Sequence, residues 1–560
     1  MNQLATLDYW VIGGYLTLIF IAGMALTRKA SNSVNDFFLG GRHIPWWILG
    51  ISMAATNFSI DTPIAITKFV ATEGIAGVWF FWASAISALL VAFLFSRLWR
   101  RSGVMTDAEI IERRYSGKSA AALRLFKGFY FGVLFNAFIM GWVFLALIKV
   151  LSGVTGLDVN TILICSTILV FIYTTASGFY GVVITDFIQY FVALSGSVLL
   201  AWFAWQEVGG SAGISAGLAA QQASHLTDFV PDFSGGIDLV SLFLTYILVQ
   251  WWAHKYADGG GKHIQRMLSA KNENHAFAAT LIYAFINYAI QVWPWIITAL
   301  ASVALFGQLA DPEKAYPMMM ATVLPAGLLG LVLAGLIGAF MSTIDTHLNL
   351  GSSYIINDIY RRFLVKEASQ KHYVLMSRLM MAALLAVAVV LALNMDSVAA
   401  AWKFLLTFAA GAGPVWILRW YWWRINAWSE FSAMIASGVI ASWLAQFHSD
   451  WLYSQKLLTT ISLSAAIWLP ITFLTAASGH EKLVEFVNQI RPGGIGWNKI
   501  SPDPEHKLRK ALTNWVLALG VLFGFNFAIG GWLLDKPSVA TTALLIALPA
   551  SFLLWRQLRK

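Results

Sequence analysis

The chain has 560 residues, of which 58% are hydrophobic and only 12% charged, with a formal net charge of +9 and a mean hydropathy of +0.68. A soluble domain of this size needs far more charge on its surface, so the composition excludes one and points to an all-α polytopic membrane protein. The basic excess falls in alternate connections between apolar stretches, which reads as topological bias and excludes a nucleic-acid partner.

Apolar stretches of roughly 20 residues give about 15 spans. The first, near 8–27, opens on Asp8 and is followed by Arg28 and Lys29, the reverse of a cleavable signal's charge order, so it is expected to be retained. The others are expected near 45–70, 75–98, 126–150, 158–176, 180–207, 238–256, 276–306, 324–352, 373–394, 400–424, 428–447, 458–478, 512–532 and 538–556, with one very short turn near 178. Basic residues gather in every second connection, including Arg100 and Arg101, then Lys255, Lys262, Arg266 and Lys271, then Arg361 and Arg362, while 208–237 has no Lys or Arg. This places the N-terminus outside and the C-terminus in the cytoplasm.

The second span is interrupted. Thr56, Asn57, Ser59, Asp61 and Thr62 stand just before Pro63 in the middle of a membrane-length stretch. Proline removes a backbone donor and disfavours helix at the residue before it, so the helix is expected to open here and leave carbonyls free for an alkali cation. The alternative is a proline kink with packed polar side chains. The run 106–118 reads as an amphipathic cytoplasmic helix, and Cys165, inside a span, as a buried inert thiol.

Segment 241–261 is short, polar at its inner end and broken by Gly259, Gly260 and Gly261. Two irregular segments at corresponding places in two halves mark an inverted-repeat transporter with its site near the midplane. The glycines before Lys262 lack the strand and the Ser or Thr of a phosphate loop and read as a hinge. His254 and His263, expected on a cytoplasmic loop, lack partners at ligand spacing and make no metal site.

The most informative stretch is 333–353, where Ser342 and Thr343 lie side by side in an apolar helix with Asp345 close behind. Polar oxygens at bilayer depth are costly unless something binds them. Ala339, Ser342, Thr343 and Thr346 share one helical face, which can wrap a small hard cation. Asp186 should lie at the same depth, in the cytoplasmic half.

The strings FFLGGRHIPWWILGISMAATNFS, YTTASGFYGVVITDFIQ and AFMSTIDTHLNLGSSYIINDIYRR resemble the sodium/solute symporters, a family that includes sodium/proline, sodium/glucose and sodium/sialic acid carriers, from about residue 8 to 430. QRMLSAKNE and LRWYWWRINAWSE resemble a bacterial branch. The resemblance implies a five-plus-five inverted-repeat core with one helix before it and about four after it, in a bacterial inner membrane. The divisions are then 1–43 for the leading helix and loop, 44–210 for the first repeat, 211–237 for an external loop, 238–425 for the second repeat and 426–560 for accessory helices that read as packing or oligomer surface.

It further implies a first sodium site at Ala55, Phe58, Ala339, Ser342 and Thr343, and a second cation site at Asp186, Ser342, Asp345 and Thr346. Asp345 is a carboxylate where the relatives with a second site have a serine, and two carboxylates could strengthen a cation site or share a proton. Solute candidates by resemblance are Asn57, Asp61, Thr62, Gln250, Trp251, Trp252, Gln291, Trp293 and Thr407. Asn57 matches a sugar contact of a sugar-carrying relative, but Thr62 stands where that relative has glutamine, so the sugar set is not intact. Asp61 beside tryptophans suits the ammonium of an amino acid or amine. The expectation is sodium-coupled symport of a small polar organic solute, an amino acid, sugar or amine, without an organic cofactor. The rivals are proton coupling through Asp186 and Asp345, and a sensor built on the carrier fold. An enzyme would need a nucleophile with its base, or a metal cluster, at depth, and the sequence offers neither.

Overall fold

The computed structural model describes residues 4–25, 38–233, 236–501 and 507–559; Arg28 and Lys29 lie outside the described residues. Within these the chain is helical, with no strand. Helix α1 (Thr6–Ala25) is followed by α2 (Trp46–Asn57) and α3 (Asp61–Glu73), which divide the second expected span. The helical runs α4 (Ile75–Ser102), α5 (Gly117–Thr155) and α6 (Val159–Val208) complete the first half. A second break separates α7 (Ile237–Gln250) from α8 (Gly260–Ser269). Then come α9 (Glu273–Phe306), α10 (Leu328–Leu364), α11 (Gln370–Ala392) and the pair α12 (Val398–Ala410) and α13 (Gly413–Tyr421), bent by 44°. The chain closes with α14 (Ala427–Phe447), α15 (Tyr453–Leu474), α16 (Lys507–Leu533) and α17 (Pro537–Arg559).

Ten of these helices are long and apolar enough to cross a membrane, and the bent pair makes an eleventh. The remaining expected spans correspond to α2 with α3, Val159–Thr175 of α6, α7 and α14, which are broken, short or more polar. The turn expected near 178 is helical: α6 runs through it without interruption.

Burial separates core from periphery. Within one apolar 18-residue stretch of each helix, 83% of the residues are buried in α10 and 78% in α4 and in α5, against 22% in α1 and in α17. Helix α10 packs on α1, α2, α5 and α6, which sets its Ser342–Thr343 face against the break in the second span. Its N-terminal end is held by α1. Oδ1 of Asp8 accepts hydrogen bonds from the backbone N–H groups of Gly327 and Gly330, both at 2.7 Å, and so satisfies donors that the first turn of a helix leaves without partners. Ile44 N to Ser269 O (3.3 Å) and Lys271 N to Ile44 O (3.2 Å) tie the entry to α2 to the exit from α8.

Three expectations are corrected. Lys255, Lys262 and Arg266, read as loop charge, belong to the second break and α8, where Lys255 and Arg266 are buried with His254 and His263. A charge count along the sequence cannot distinguish a basic loop from a segment that folds back into the protein. Cys165 is exposed on the outside of α6. The run 106–118 is mostly not helical before Gly117: its helix is confined to Ile110–Arg114, and Thr106, Asp107 and Arg114 are buried.

Candidate functional site

The first break behaves as Pro63 dictates. Helix α2 ends at Asn57, Phe58 leaves helical geometry with φ −79° and ψ 74°, and α3 restarts at Asp61 with Pro63 in its first turn. Thr62 caps the break, its hydroxyl donating to Asn57 O at 2.9 Å. Among the described residues no hydrogen bond is donated to the carbonyls of Ala55 and Phe58, because the N–H of Phe58 bonds Ala54 O, that of Thr62 bonds Ser59 O, and Pro63 has none. These two free carbonyls are the ones that the resemblance assigns to a first sodium site.

Helix α10 supplies the hydroxyls. Thr343 Oγ1 lies 3.5 Å from Thr56 O, and Ser342 Oγ donates to Asp186 Oδ1 at 2.6 Å. Asp186 and Ser342, placed at one depth by sequence, therefore touch. A hydroxyl that donates its proton to a carboxylate keeps its lone pairs for a cation, so this bond does not spend Ser342 as a ligand.

One charge at this place was absent from the sequence reading. Arg266, on α8, is fully buried, and its Nη2 lies 3.1 Å from Asp186 Oδ2, 2.7 Å from Thr56 Oγ1 and 2.9 Å from Thr346 Oγ1, while Nε donates to Ser52 Oγ at 2.8 Å. A guanidinium thus touches two of the four groups expected to surround a second ion, Asp186 and Thr346, and their neighbour Thr56. Asp345, the remaining carboxylate, accepts from Thr174 through Oδ1, and its Oδ2 is buried without a partner.

Beside the break lies a cavity of about 150 Å³. Asn57, Asp61 and Thr62 line it, together with Ser59, Phe80, Phe81, Lys255, Lys262, His263, Tyr283, Tyr288, Thr343 and Trp402. Trp402 Nε1 donates to Asp61 Oδ2 at 3.0 Å, and Asn57 donates to the Tyr283 hydroxyl. Asp61 Oδ1, Ser59 Oγ and His263 Nε2 are buried without a partner, as expected of groups that face a polar ligand. Lys262 Nζ reaches Thr56 O at 3.4 Å, the carbonyl Thr343 also approaches, so the cavity and the cation set meet at one backbone oxygen.

The other solute candidates lie elsewhere. Gln250 bonds Phe80 O and the Tyr453 hydroxyl, Trp251 packs on Trp515, and Trp252 donates to Leu248 O. Gln291 bonds Asn287 and Tyr190, Trp293 donates to Asn526, and Thr407 donates to Lys403 O. None of the six lines the cavity. Reading the strings had missed Lys255, Lys262, Tyr283 and Trp402. The only trace of the lysines in the sequence was that both stand within four residues of the glycine break.

The model of the sodium:solute symporter family matches residues 37–437. The chain belongs to this family. Among its relatives, the sodium/glucose cotransporter of Vibrio parahaemolyticus is 24% identical over 93% of this symporter and 98% of that protein. Sodium/glucose cotransporter 1 of Oryctolagus cuniculus is 24% identical over 77% of this symporter and 71% of that protein. A solved structure of a Na+-coupled sialic acid symporter, substrate-bound and outward-open, superposes with a TM-score of 0.72 at 20% identity, over 85% of this symporter and 99% of that chain, which shows the shared fold. This symporter is a multi-pass membrane transporter and not an enzyme, and its family and relatives support sodium-coupled symport.

Proposed function

We propose that this protein carries a small polar organic solute into the cell together with sodium, by alternating access across a bacterial inner membrane, with its N-terminus outside and its C-terminus in the cytoplasm. The observation that carries the reading is the pair of free carbonyls at Ala55 and Phe58 on a broken helix that meets the Ser342–Thr343 face of α10. With Ala339 O these make five oxygens, a set that suits a hard monovalent cation. Sodium bound there would bridge α2 and α10 and favour the conformation in which both are in register. Coupling follows because the ion binds the two conformations unequally.

We assign one sodium, not two. Arg266 already supplies a positive charge to Asp186 and Thr346, so a second ion there would face a fixed guanidinium. Proton coupling is the second reading, favoured by one observation: among the described residues Asp345 has a buried oxygen without a partner and no cation within 4.0 Å, an environment suited to the protonated acid.

The test is the thermal stability of detergent-purified protein in sodium against potassium and choline chloride at fixed ionic strength. We expect a sodium-specific rise of several degrees that Ser342→Ala with Thr343→Ala abolishes. No sodium-specific rise in the wild type would overturn the sodium reading and shift the assignment to Asp345.

A further inference from the structure

Except for Arg114, which donates to the carbonyls of Arg419, Trp422 and Trp423, the buried cations elsewhere in the protein have carboxylate partners: Arg124 has Asp358, Lys127 has Glu430, Arg266 has Asp186, and Arg419 has both Asp258 and Glu430. This is the ordinary requirement for burying charge. Two cavity-lining cations depart from it. Among the described residues no carboxylate lies within 4.0 Å of the ammonium of Lys255 or of Lys262. Lys255 is only 5% exposed and rests on rings, 4.8 Å from the centroids of both Phe131 and Phe135. Lys262 has only the Thr56 carbonyl. The two ammonium groups lie 5.8 and 5.9 Å from the same Tyr256 ring.

Against these two cations the cavity wall offers one carboxylate, Asp61, among the described residues. One of its oxygens is taken by Trp402, and the other has no partner. The wall is therefore one negative charge short. It is also laid out by sector, with ammonium groups around Tyr256 and a free hydrogen-bond acceptor at Asp61.

We propose that the solute is a monoanionic organic acid, its carboxylate held by Lys255 and Lys262 and a hydroxyl or other neutral donor directed to Asp61 Oδ1. The inference rests on the transport reading above and names its cargo class. A neutral sugar would leave the wall one negative charge short. An amine would answer Asp61 and leave the lysines unanswered. A monoanion neutralises the wall.

The geometry also gives a reason for the ion and the solute to bind together. Lys262 and Thr343 both reach Thr56 O, so a sodium ion held by Thr343 has an ammonium as its neighbour. An anion at Lys262 screens that repulsion, and each ligand raises the affinity for the other by the same factor.

The experiment uses the purified full-length protein and matched ligands that differ by a carboxylate in place of a hydroxymethyl group: glucuronate against glucose, and mandelate against 1-phenyl-1,2-ethanediol, with alanine and choline as zwitterionic and cationic controls. Thermal stability is read at constant sodium, and again with choline replacing sodium. We expect at least one acid to raise the melting temperature by several degrees while its neutral partner does not. Lys255→Gln and Lys262→Gln should each weaken that acid by about tenfold or more, with Lys262→Arg retaining part of the effect. The acid's effect should also be larger in sodium. Stabilisation by sodium alone shows that each variant is folded and reports on the coupling reading separately. The proposal is overturned if no acid in the panel stabilises the wild type, if a neutral, zwitterionic or cationic member does so better, or if both glutamine variants bind the acid as well as the wild type. A sodium response that survives any of those results leaves the transport reading standing.

Discussion

Nη2 of Arg266 lies 3.1 Å from Oδ2 of Asp186, with neither side chain exposed. Through Ser52, Thr56 and Thr346 the same guanidinium also reaches α2 and α10, so one side chain of α8 joins three helices of the core. Removing one member of such a pair leaves the other charge buried and uncompensated, at a cost of about 3–5 kcal/mol. We expect Arg266→Ala to lower the melting temperature sharply, and Arg266→Lys to restore part of it but not the fork of bonds to Thr56 and Thr346. A melting temperature for Arg266→Ala equal to the wild type would show that the pair does not secure these helices.

The proposal of a single sodium rests on the same guanidinium. A titration of melting temperature against sodium concentration should fit a single class of site, with a Hill slope close to one. A slope near two would mean that Arg266 leaves room for a second ion beside Asp186 and Asp345.

Gly413 opens α13 directly against the backbone of the second break. A Cβ there would stand 2.4 Å from Trp252 O and 2.8 Å from His254 N. Neither can move as a side chain would, so Gly413→Ala must displace the segment that carries Lys255. We expect a loss of about 1–3 kcal/mol of stability together with weaker solute binding. Unchanged stability in this variant would argue that the close contact is relieved at no cost.

Glu313, in the connection after α9, binds α3, α5 and the start of α12 at once. Its carboxylate pairs with Lys149 at 2.7 Å and Lys68 at 3.3 Å, and accepts from Ser397 Oγ and the N–H groups of Val398 and Ala399. Burial alone would raise its pKa, but the hydrogen bonds from Lys149 and Ser397 and the charges of Lys149 and Lys68 outweigh it, holding the group below its ordinary 4.5. A depressed carboxyl stabilises the folded state fully above the unfolded value near 4.5 and loses that contribution as pH falls through the folded value. Glu313→Gln should therefore cost about 1–3 kcal/mol at neutral pH and flatten the acid limb of stability against pH. If wild type and variant lose stability in parallel on acidification, the effect belongs to other carboxylates.

Much of this was legible in the residues. Pro63 and the polar run before it located the break in the second span, and helical spacing put Ser342, Thr343 and Thr346 on the face that meets it. Depth counting placed Asp186 level with Ser342, and the two bond at 2.6 Å. What escaped was set by contacts distant in sequence. Lys255, Lys262 and Arg266 looked like cytoplasmic loop charge because a window of sequence registers a positive cluster without registering the protein that closes over it. Trp402 was one of 26 tryptophans, and only its bond to Asp61, 341 residues away, sets it apart. The tryptophans and glutamines chosen by resemblance were near the right breaks, yet their polar atoms are satisfied by neighbours away from the cavity.

The bonds from Gly327 and Gly330 to Asp8 lie at one end of α10, some fifteen residues before Ser342 and Thr343. The far end of the same run is held as well, because Asp358 pairs with Arg124 at 2.7 Å and accepts from the Thr106 hydroxyl at 2.6 Å. The cation face therefore lies on a beam clamped at both ends, and what clamps it is a carboxylate in each case: Asp8 from the leading helix at one end and Asp358 of the run itself at the other.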